Sequence, residues 1–341
     1  MKFLKNVWYA ASWLKDIVHG SPVARTIIDH PLLLLRSSTG GVSALRDACP
    51  HRFAPLSMGR QEGDTVRCGY HGIGFDLAGN CVDNPHGPVL QSLCVPSYPT
   101  AERHGLLWIW LGDPAGADPA LIPDFGFIDR APEPGIVLGY LRSHANHHLI
   151  EDNILDLSHT DYLHADTLGG GANTRAKISV KESGETVKVR WDATNDAAPP
   201  IVHRMLPDPT AGYDQWTEVL WHPNGAMHLF TGLALPKGEA LKHLDTWNAH
   251  ILSPESASTT HYFYASARAF ATDDPHVNEM IGEGLRNAFE NEDRPMLEAQ
   301  QRFVGNRDIM SLRPALLAID NGSTRARRIY DRLLAAEAAA A

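Results

Sequence analysis

Short apolar runs separated by Gly, Pro, Asn and Asp fill the first third of the chain, and this pattern predicts a β-rich domain. The runs that predict strands are residues 26–28, 32–35, 41–45, 72–77 and 106–111. The step Ala78-Gly79-Asn80 is a hairpin signal inside this region. Because Gly112-Asp113-Pro114 closes the last run, we place the domain at residues 1–112.

The next segment, residues 113–138, is rich in Pro, Gly, Ala and Asp, which favours an exposed linker. A second domain at residues 139–341 opens with a helical pattern around residues 149–157. Further apolar runs predict strands at residues 178–180, 186–191, 216–221, 226–233, 250–252 and 261–265. Helical patterns then cover residues 277–304 and 324–340. Strands followed by helices indicate an α+β domain with an antiparallel sheet.

Composition mainly excludes functions. The 341 residues include 30 Lys and Arg against 40 Asp and Glu, and the net charge of −10 argues against nucleic-acid binding. No apolar run approaches the roughly 20 residues of a membrane-spanning helix, and no signal-peptide pattern follows the start. We therefore expect a soluble, cytoplasmic protein without membrane contact. The 18 histidines against 4 cysteines point toward metal chemistry in a reducing compartment.

Two mixed cysteine–histidine loops form the first candidate metal site. Cys49-Pro50-His51 is followed by Cys68-Gly69-Tyr70-His71, so each loop offers one thiolate and one imidazole. Together they suit a zinc ion or a Rieske 2Fe–2S cluster, in which two Cys bind one iron and two His the other. Zinc fingers usually pair like residues, so the mixed order favours the cluster. Cys81 and Cys94 lie outside any motif, and we interpret them as small, buried apolar residues.

A second candidate metal site lies in the helical pattern of the second domain. Asn153, Asp156 and His159 are spaced by three and share one face of a helix. His164 follows His159 by five, which would rotate it off that face. We therefore expect the helix to end or distort near Asp161, so that the two imidazoles converge. Two imidazoles and one carboxylate form the facial triad of non-haem Fe(II) oxygenases.

Both motifs resemble those of Rieske non-haem iron oxygenase α-subunits. The two loops are similar to the oxygenase branch, because Ala54 and Tyr70 stand where cytochrome bc-type Rieske proteins have disulfide cysteines. The pattern Asp-x2-His-x4-His resembles the family's mononuclear-iron motif. Further segments resemble the group of vanillate O-demethylase, dicamba O-demethylase and toluenesulfonate methyl-monooxygenase, namely residues 6–11, 49–55, 83–85, 250–255 and 326–328.

The resemblance implies an N-terminal all-β Rieske domain followed by an α+β catalytic domain of the helix-grip, START-like type. It implies that Cys49, His51, Cys68 and His71 bind the cluster. It also implies that His159 and His164 bind a mononuclear Fe(II). The third iron ligand comes from a distant acidic pair in the family, and we choose Asp293, with Glu290 and Glu292 as competitors.

Three further residues carry weaker expectations. In the family the aspartate matched by Asp156 bridges toward a Rieske histidine of the adjacent subunit in a homotrimer, and the alternative is an acid that orients His159. Asn153 is expected to hydrogen-bond near the iron, with helix capping as the alternative. His250 matches a position that lines the substrate pocket, whereas His147 and His148 are interpreted as structural.

These features predict the terminal oxygenase component of an aromatic monooxygenase that uses O2. The chain lacks a Gly-x-Gly-x-x-Gly motif, so NAD(P)H must act through a separate flavin and iron–sulfur reductase or a ferredoxin. By resemblance, the substrate is an aromatic acid oxidised at a methoxy or methyl carbon, most simply by O-demethylation with release of formaldehyde. Arg190 and Arg204 are candidate carboxylate clamps. Alternatives are methyl or ring hydroxylation, a Rieske electron carrier and a zinc-stabilised binding module.

Overall fold

The computed structural model describes residues 2–239 and 241–340. They form two compact units, one of residues Lys5–Ile122 and one of residues 123–340 with residues 2–4. The division therefore falls inside the segment 113–138. We expected this segment to be an exposed linker. Instead, short helical turns occupy part of it, and Ile122 and Phe125 are buried.

The first unit contains eleven strands and only short helical turns, which confirms the all-β prediction. The strands are β1 (Trp8–Trp13), β2 (Val23–Ile27), β3 (His30–Arg36), β4 (Val42–Arg46), β5 (Arg60–Glu62), β6 (Thr65–Arg67), β7 (Gly74–Asp76), β8 (Cys81–Asp83), β9 (Ser97–Tyr98), β10 (Thr100–Arg103) and β11 (Leu106–Trp110). They form three antiparallel sheets in the orders β1-β11-β10, β2-β3-β4-β9 and β5-β6-β7-β8.

The core of this unit reaches directly under the candidate cluster loops. Leu45, Val66 and Phe75 pack in one buried cluster, and Cys49 and Cys68 belong to it. The two cysteines are therefore fixed by apolar packing, while the rest of each loop extends toward solvent. The expectation that Cys81 and Cys94 are buried is wrong, because Cys81 is only half-buried and Cys94 is exposed.

One antiparallel sheet dominates the second unit, as predicted, and it has seven strands, of which the first was not predicted. Its strands are β12 (Ile136–Ser143), β13 (Lys177–Ser183), β14 (Thr186–Ala197), β15 (Gly212–Trp221), β16 (Ala226–Leu233), β17 (Thr246–Ser256) and β18 (Thr259–Arg268). They lie in the order β12-β18-β17-β16-β15-β14-β13. Alternate residues point to opposite faces of such a sheet, so one face can line a cavity.

Within the part of the chain that the structure describes, seven α-helices accompany this sheet. They are α1 (Gly126–Arg130), α2 (His147–Leu155), α3 (Thr160–Leu163), α4 (Ala172–Arg175), α5 (Pro275–Arg286), α6 (Arg294–Val304) and α7 (Asn321–Ala340). The pattern at residues 277–304 predicts one continuous helix, but a π-helix at Asn287–Asp293 separates α5 from α6. Within the described ranges, no helix has the length and apolar character needed to cross a membrane.

The helix that carries the second motif ends earlier than predicted. We expected the break near Asp161, but α2 ends at Leu155, and Asp156 is extended, with φ −125° and ψ 97°. The Asp156 carboxylate accepts a hydrogen bond of 3.0 Å from the Ser158 N–H and so caps the following 3-10 turn, Leu157–His159. Since a capping aspartate competes with helical backbone bonds, the break occurs at Asp156 itself.

Candidate metal centres and substrate cavity

The two cysteine–histidine loops have the same backbone design. In each loop the cysteine N–H donates to the carbonyl five residues later, at 2.9 Å for both Cys49 and Cys68. The cysteine carbonyl accepts from the N–H four residues later, at 2.7 and 3.0 Å respectively. That fourth residue has a positive φ in both loops, 58° at Phe53 and 73° at Gly72. The two loops therefore present their donor atoms in equivalent ways.

The four donor side chains divide into a buried and a surface pair. Cys49 and Cys68 are each 2% exposed, whereas His51 is exposed and His71 is half-buried. The two imidazole rings lie 4.6 Å apart between centroids. Burial and the neighbouring Cys68 thiol raise the pKa of Cys49 to about 11. A metal that takes the thiolate form offsets this cost, so the residues fit a group held by two sulfurs and two nitrogens.

The early end of α2 orients His159, the first histidine of the second candidate metal site. The His159 Nδ1 donates to the backbone carbonyl of Asp156 at 2.6 Å. The backbone oxygen of Asp156, and not its carboxylate, therefore orients the His159 ring. This contact leaves the His159 Nε2 directed toward Asp293, 3.6 Å from the carboxylate oxygen Oδ1.

The π-helix brings two consecutive carboxylates to the second histidine. His164 Nδ1 donates to Glu292 at 2.6 Å, and its Nε2 lies 3.1 Å from Oδ1 of Asp293. Consecutive residues of an α-helix point in different directions, whereas the wider π turn lets both carboxylates reach one imidazole. Asn287 donates to Glu292 at 3.0 Å and holds its carboxylate in place.

The donor atoms of His159, His164 and Asp293 all lie within 4.8 Å of one another. Both Nδ1 atoms are engaged, so both Nε2 atoms face the same carboxylate oxygen. Asn153 also donates to this oxygen at 3.1 Å. Burial lowers the pKa of His164, but the carboxylates of Asp293 and Glu292 outweigh burial and raise it overall. Two imidazoles, one carboxylate and outer hydrogen bonds fit a mononuclear Fe(II).

A cavity of about 200 Å³ adjoins this centre. Its lining includes His159, His164 and Asp293, and most of its surface is apolar. The sheet contributes alternate residues of its strands to one wall, including Leu229, Thr231, Leu233, Thr246, Asn248, His250, Tyr262 and Ser266. A mostly apolar cleft with a few polar groups is typical of a small-molecule site.

His250 lies in the cavity wall. It is 5% exposed, and its Nδ1 lies 2.5 Å from the Tyr262 hydroxyl. Burial lowers the pKa of His250 to about 4, with Asp293 acting in the opposite sense. His250 is therefore a neutral polar group near the metal centre.

The structure does not bring every candidate to the cavity. Arg190 and Arg204 are not among the lining residues, and Arg190 pairs with Asp192 at 2.8 Å. The expected carboxylate clamps are therefore absent from the described lining. His147 and His148 form a separate buried cluster with Glu151.

Sequence reasoning missed the roles of Glu292 and Tyr262. Glu292 was considered only as a rival ligand, yet its carboxylate contacts the outer nitrogen of His164. Its position next to Asp293 was the available signal. The strand pattern at residues 261–265 places Tyr262 on one face of its strand, but it does not reveal the contact with His250 across the sheet.

Comparison with known proteins finds a family match for each half of the chain. Residues 7–99 match the Rieske [2Fe-2S] domain, and residues 143–336 match the vanillate O-demethylase oxygenase C-terminal domain. The chain is 36% identical to the dicamba O-demethylase oxygenase component of Stenotrophomonas maltophilia, over 99% of this chain and 100% of that protein. It is 34% identical to the chloroacetanilide N-alkylformylase oxygenase component of Rhizorhabdus wittichii, over 98% and 97% of the two chains.

A solved structure extends the likeness to three dimensions. The crystal structure of dicamba monooxygenase with non-heme iron and dicamba superposes with a TM-score of 0.83 at 33% identity, and the match covers 100% of both chains. The fold, the Rieske domain and the His and Asp donor set agree with this match. The chain therefore belongs to the Rieske non-haem iron oxygenases of the vanillate O-demethylase group, as the terminal oxygenase component of a monooxygenase with a 2Fe–2S cluster and a mononuclear iron site.

Proposed function

We propose that Cys49 and Cys68 bind one iron of the Rieske cluster and that His51 and His71 bind the other. The matching loop hydrogen bonds and the division into buried thiols and outer imidazoles support this assignment. We further propose that His159, His164 and Asp293 bind the mononuclear iron. When bound, the two metal groups supply electrons one at a time and a binding position for O2 beside the substrate.

The chain's own residues orient the proposed iron ligands. The Asp156 carbonyl and the Glu292 carboxylate hold the two Nδ1–H groups, so each imidazole presents its Nε2. Such outer contacts fix the tautomer and ring orientation of a ligand. Asn153 donates to Asp293 and limits rotation of its carboxylate.

We propose that the reaction is O-demethylation of an aromatic ether. A methoxyarene, O2, two electrons and two protons give a phenol, formaldehyde and water, so the methoxy carbon is oxidised and O2 is reduced. The observation that carries this proposal is the metal centre opening into a largely apolar cavity of about 200 Å³. That space suits a single substituted aromatic ring, whose methoxy group is held beside His159 and His164.

Electron supply requires another protein. The chain belongs to oxygenase components, and components of this kind act with a reductase or ferredoxin. We propose a flavin and iron–sulfur reductase or a ferredoxin as the direct donor, with NAD(P)H used only by that partner. We also propose a cytoplasmic homotrimer in which Asp156 bridges toward a Rieske histidine of the adjacent subunit.

The test combines a surrogate reductase, NADH and a panel of methoxyarenes, with oxygen uptake and formaldehyde followed together. The expected result is formaldehyde in proportion to the phenol formed. Oxidised products that keep the methyl carbon would replace O-demethylation with methyl or ring hydroxylation. A Cys49→Ser variant should lose the visible Rieske absorption, and an unchanged spectrum would contradict the cluster assignment.

A further inference from the structure

The two proposed histidine ligands of the cluster lie on loops that differ in their support. His71 is half-buried, whereas His51 is exposed. Within the described residues, no hydrogen bond reaches the backbone carbonyls of His51 and Phe53 in the first loop. In the second loop, the carbonyls of His71 and Gly72 each accept a hydrogen bond from a side chain. The second loop is therefore supported at two carbonyls that have no counterpart in the first.

Arg67 supports the second loop from the strand that leads into it. This residue ends β6 directly before Cys68, and its Nη1 donates to the Gly72 carbonyl at 2.6 Å. The same nitrogen donates to the Asp83 carboxylate at 2.6 Å, and the Nε donates to Glu62 at 2.9 Å. Two carboxylates thus orient the guanidinium, and the guanidinium joins the loop to the end of β8.

His86 supports the same loop from the turn that follows β8. Its Nε2 lies 2.9 Å from the His71 carbonyl, and because a carbonyl only accepts, the Nε2 carries the proton and donates. The rings of His86 and His71 meet edge to face, 6.0 Å apart between centroids at 82°. Asn84 stabilises the turn, since its side chain accepts from the His86 N–H at 3.1 Å and donates to the Pro88 carbonyl at 2.9 Å. A histidine outside the proposed ligand set is therefore fixed against the His71 loop.

We propose that His86 is a positioning residue of the Rieske cluster and that it makes His71 the firmly held imidazole and His51 the weakly held one. The proposal rests on the proposed cluster ligands and adds a residue outside that set. Removal of the iron that the two imidazoles share requires both of them to leave it. Because the loop of His51 lacks the corresponding supports, the support of His71 sets the rate at which this iron is lost.

The test follows the visible Rieske absorption of the oxidised holoenzyme as EDTA removes iron. His86→Leu removes the donor from an exposed side chain and leaves the core intact. We expect the cluster of this variant to be lost about two- to tenfold faster, which is the effect of one hydrogen bond. His86→Gln keeps an N–H donor and should restore most of the wild-type lifetime. A wild-type lifetime in His86→Leu would overturn the proposal.

His30→Leu is the matched control for the loss of a histidine hydrogen bond. The His30 Nδ1 donates to the Ile28 carbonyl at 2.8 Å, at the turn between β2 and β3 of the same unit and outside both cluster loops. This variant removes a bond of the same kind, so we expect the wild-type cluster lifetime. Equally fast cluster loss in His30→Leu and His86→Leu would indicate a general weakening of the unit and would contradict the specific role of His86.

Pulsed EPR of the reduced cluster separates this proposal from the proposed ligand set. If His51 and His71 bind one iron, the wild type shows magnetic couplings to two imidazole nitrogens. His86→Leu should shift or broaden one of these couplings and leave the other unchanged, because only the His71 loop loses a support. Absence of nitrogen couplings in the wild type would refute the proposed ligands themselves. Two couplings that His86→Leu leaves unchanged would refute only the role of His86.

Discussion

Two clusters along α2 and the turn after it have the same donor set and different surroundings. His159, His164 and Asp293 form one cluster, and the other lies at the start of the helix, with residues His147, His148 and Glu151. Each brings two imidazoles and one carboxylate within 4.8 Å. Only the first lines the cavity of about 200 Å³. A donor set is therefore insufficient for an active site, because ligand orientation and substrate access must accompany it.

The second cluster has the character of a structural core. His148 donates to Glu151 at 2.8 Å, and its ring packs 4.7 Å from that of Tyr330 on α7. Both nitrogens of His147 are buried without a hydrogen-bond partner. Burial lowers the pKa of His147 and lowers that of His148 to about 3. Burial also raises the pKa of Glu151. These groups change the stability of the protein when they titrate, and none of them lines the cavity.

The largest expected difference between the clusters is in turnover. Asp293→Ala removes the carboxylate shared by His159 and His164, so we expect no detectable product while the Rieske absorption is unchanged. Glu151→Ala should reduce the free energy of unfolding and keep the turnover per folded molecule. Retained product formation in Asp293→Ala would refute the triad, and abolished turnover in folded Glu151→Ala would place the second cluster in catalysis.

A substitution of Asp156 tests whether its carboxylate bridges toward the Rieske cluster of an adjacent subunit. Asp156→Asn keeps the backbone carbonyl that accepts from His159, so we expect iron to remain bound. If the carboxylate bridges the two metal centres, turnover should be blocked while both metals stay in place. Metal analysis and single-turnover kinetics would check this, and loss of iron would instead indicate a metal-supporting role.

A substitution of Glu292 tests the importance of its hydrogen bond to the His164 Nδ1–H. His147 in the second cluster has no such bond. Glu292→Gln weakens the hold on the His164 Nδ1–H, and we expect a loss of about 10- to 100-fold in iron affinity or activity. Glu290→Gln on the same π-helix is the matched control. Iron titrations of both variants provide the measurement. Equal behaviour of the two would show that the Glu292 contact is dispensable.

A smaller expected effect is the change in the free energy of unfolding with pH that the second cluster causes. The folded pKa of His148, about 3, lies below its ordinary value of 6.5, so its contribution to stability is present above pH 6.5 and is lost as pH falls toward 3. The raised pKa of Glu151 and that of the adjacent Asp152, about 6, act in the opposite sense, but they oppose four histidines whose pKa values burial lowers, namely His147, His148, His222 and His250. We expect the free energy of unfolding to be lower at pH 5 than at pH 7.

Urea unfolding of wild type and His148→Leu at both pH values would check this expectation. Each proton taken up on unfolding contributes about 1.4 kcal/mol per pH unit. The variant should therefore show a smaller difference between pH 5 and pH 7. An equal difference in both proteins would assign the pH dependence to other groups.

The candidate sites show which features could be predicted from the sequence. Each cysteine–histidine loop is fixed by hydrogen bonds within six residues, so its spacing alone predicts the donor atoms. The pair His159 and His164 is similarly local. Asp293 lies 129 residues after His164, and no local spacing connects them, so its choice required the family resemblance.

The remaining features depend on packing that the sequence pattern does not reveal. The amphipathic pattern at residues 277–304 is continuous and gives no sign of the π-helix. The contact of both Glu292 and Asp293 with His164 could therefore not be predicted. The break at Asp156 was placed five residues too late, because His164 was assumed to require it near Asp161. The overall α+β architecture was predictable, since strand and helix periods differ clearly.

Iron analysis of Asp293→Ala and Glu151→Ala tests the central claim most directly. Iron and acid-labile sulfide are measured per folded chain in wild type and in both variants. We predict that Asp293→Ala has one iron fewer than wild type with unchanged sulfide, and that Glu151→Ala has the wild-type content of both. Full iron content in Asp293→Ala, or the loss of one iron in Glu151→Ala, would contradict the assignment of the mononuclear iron to His159, His164 and Asp293.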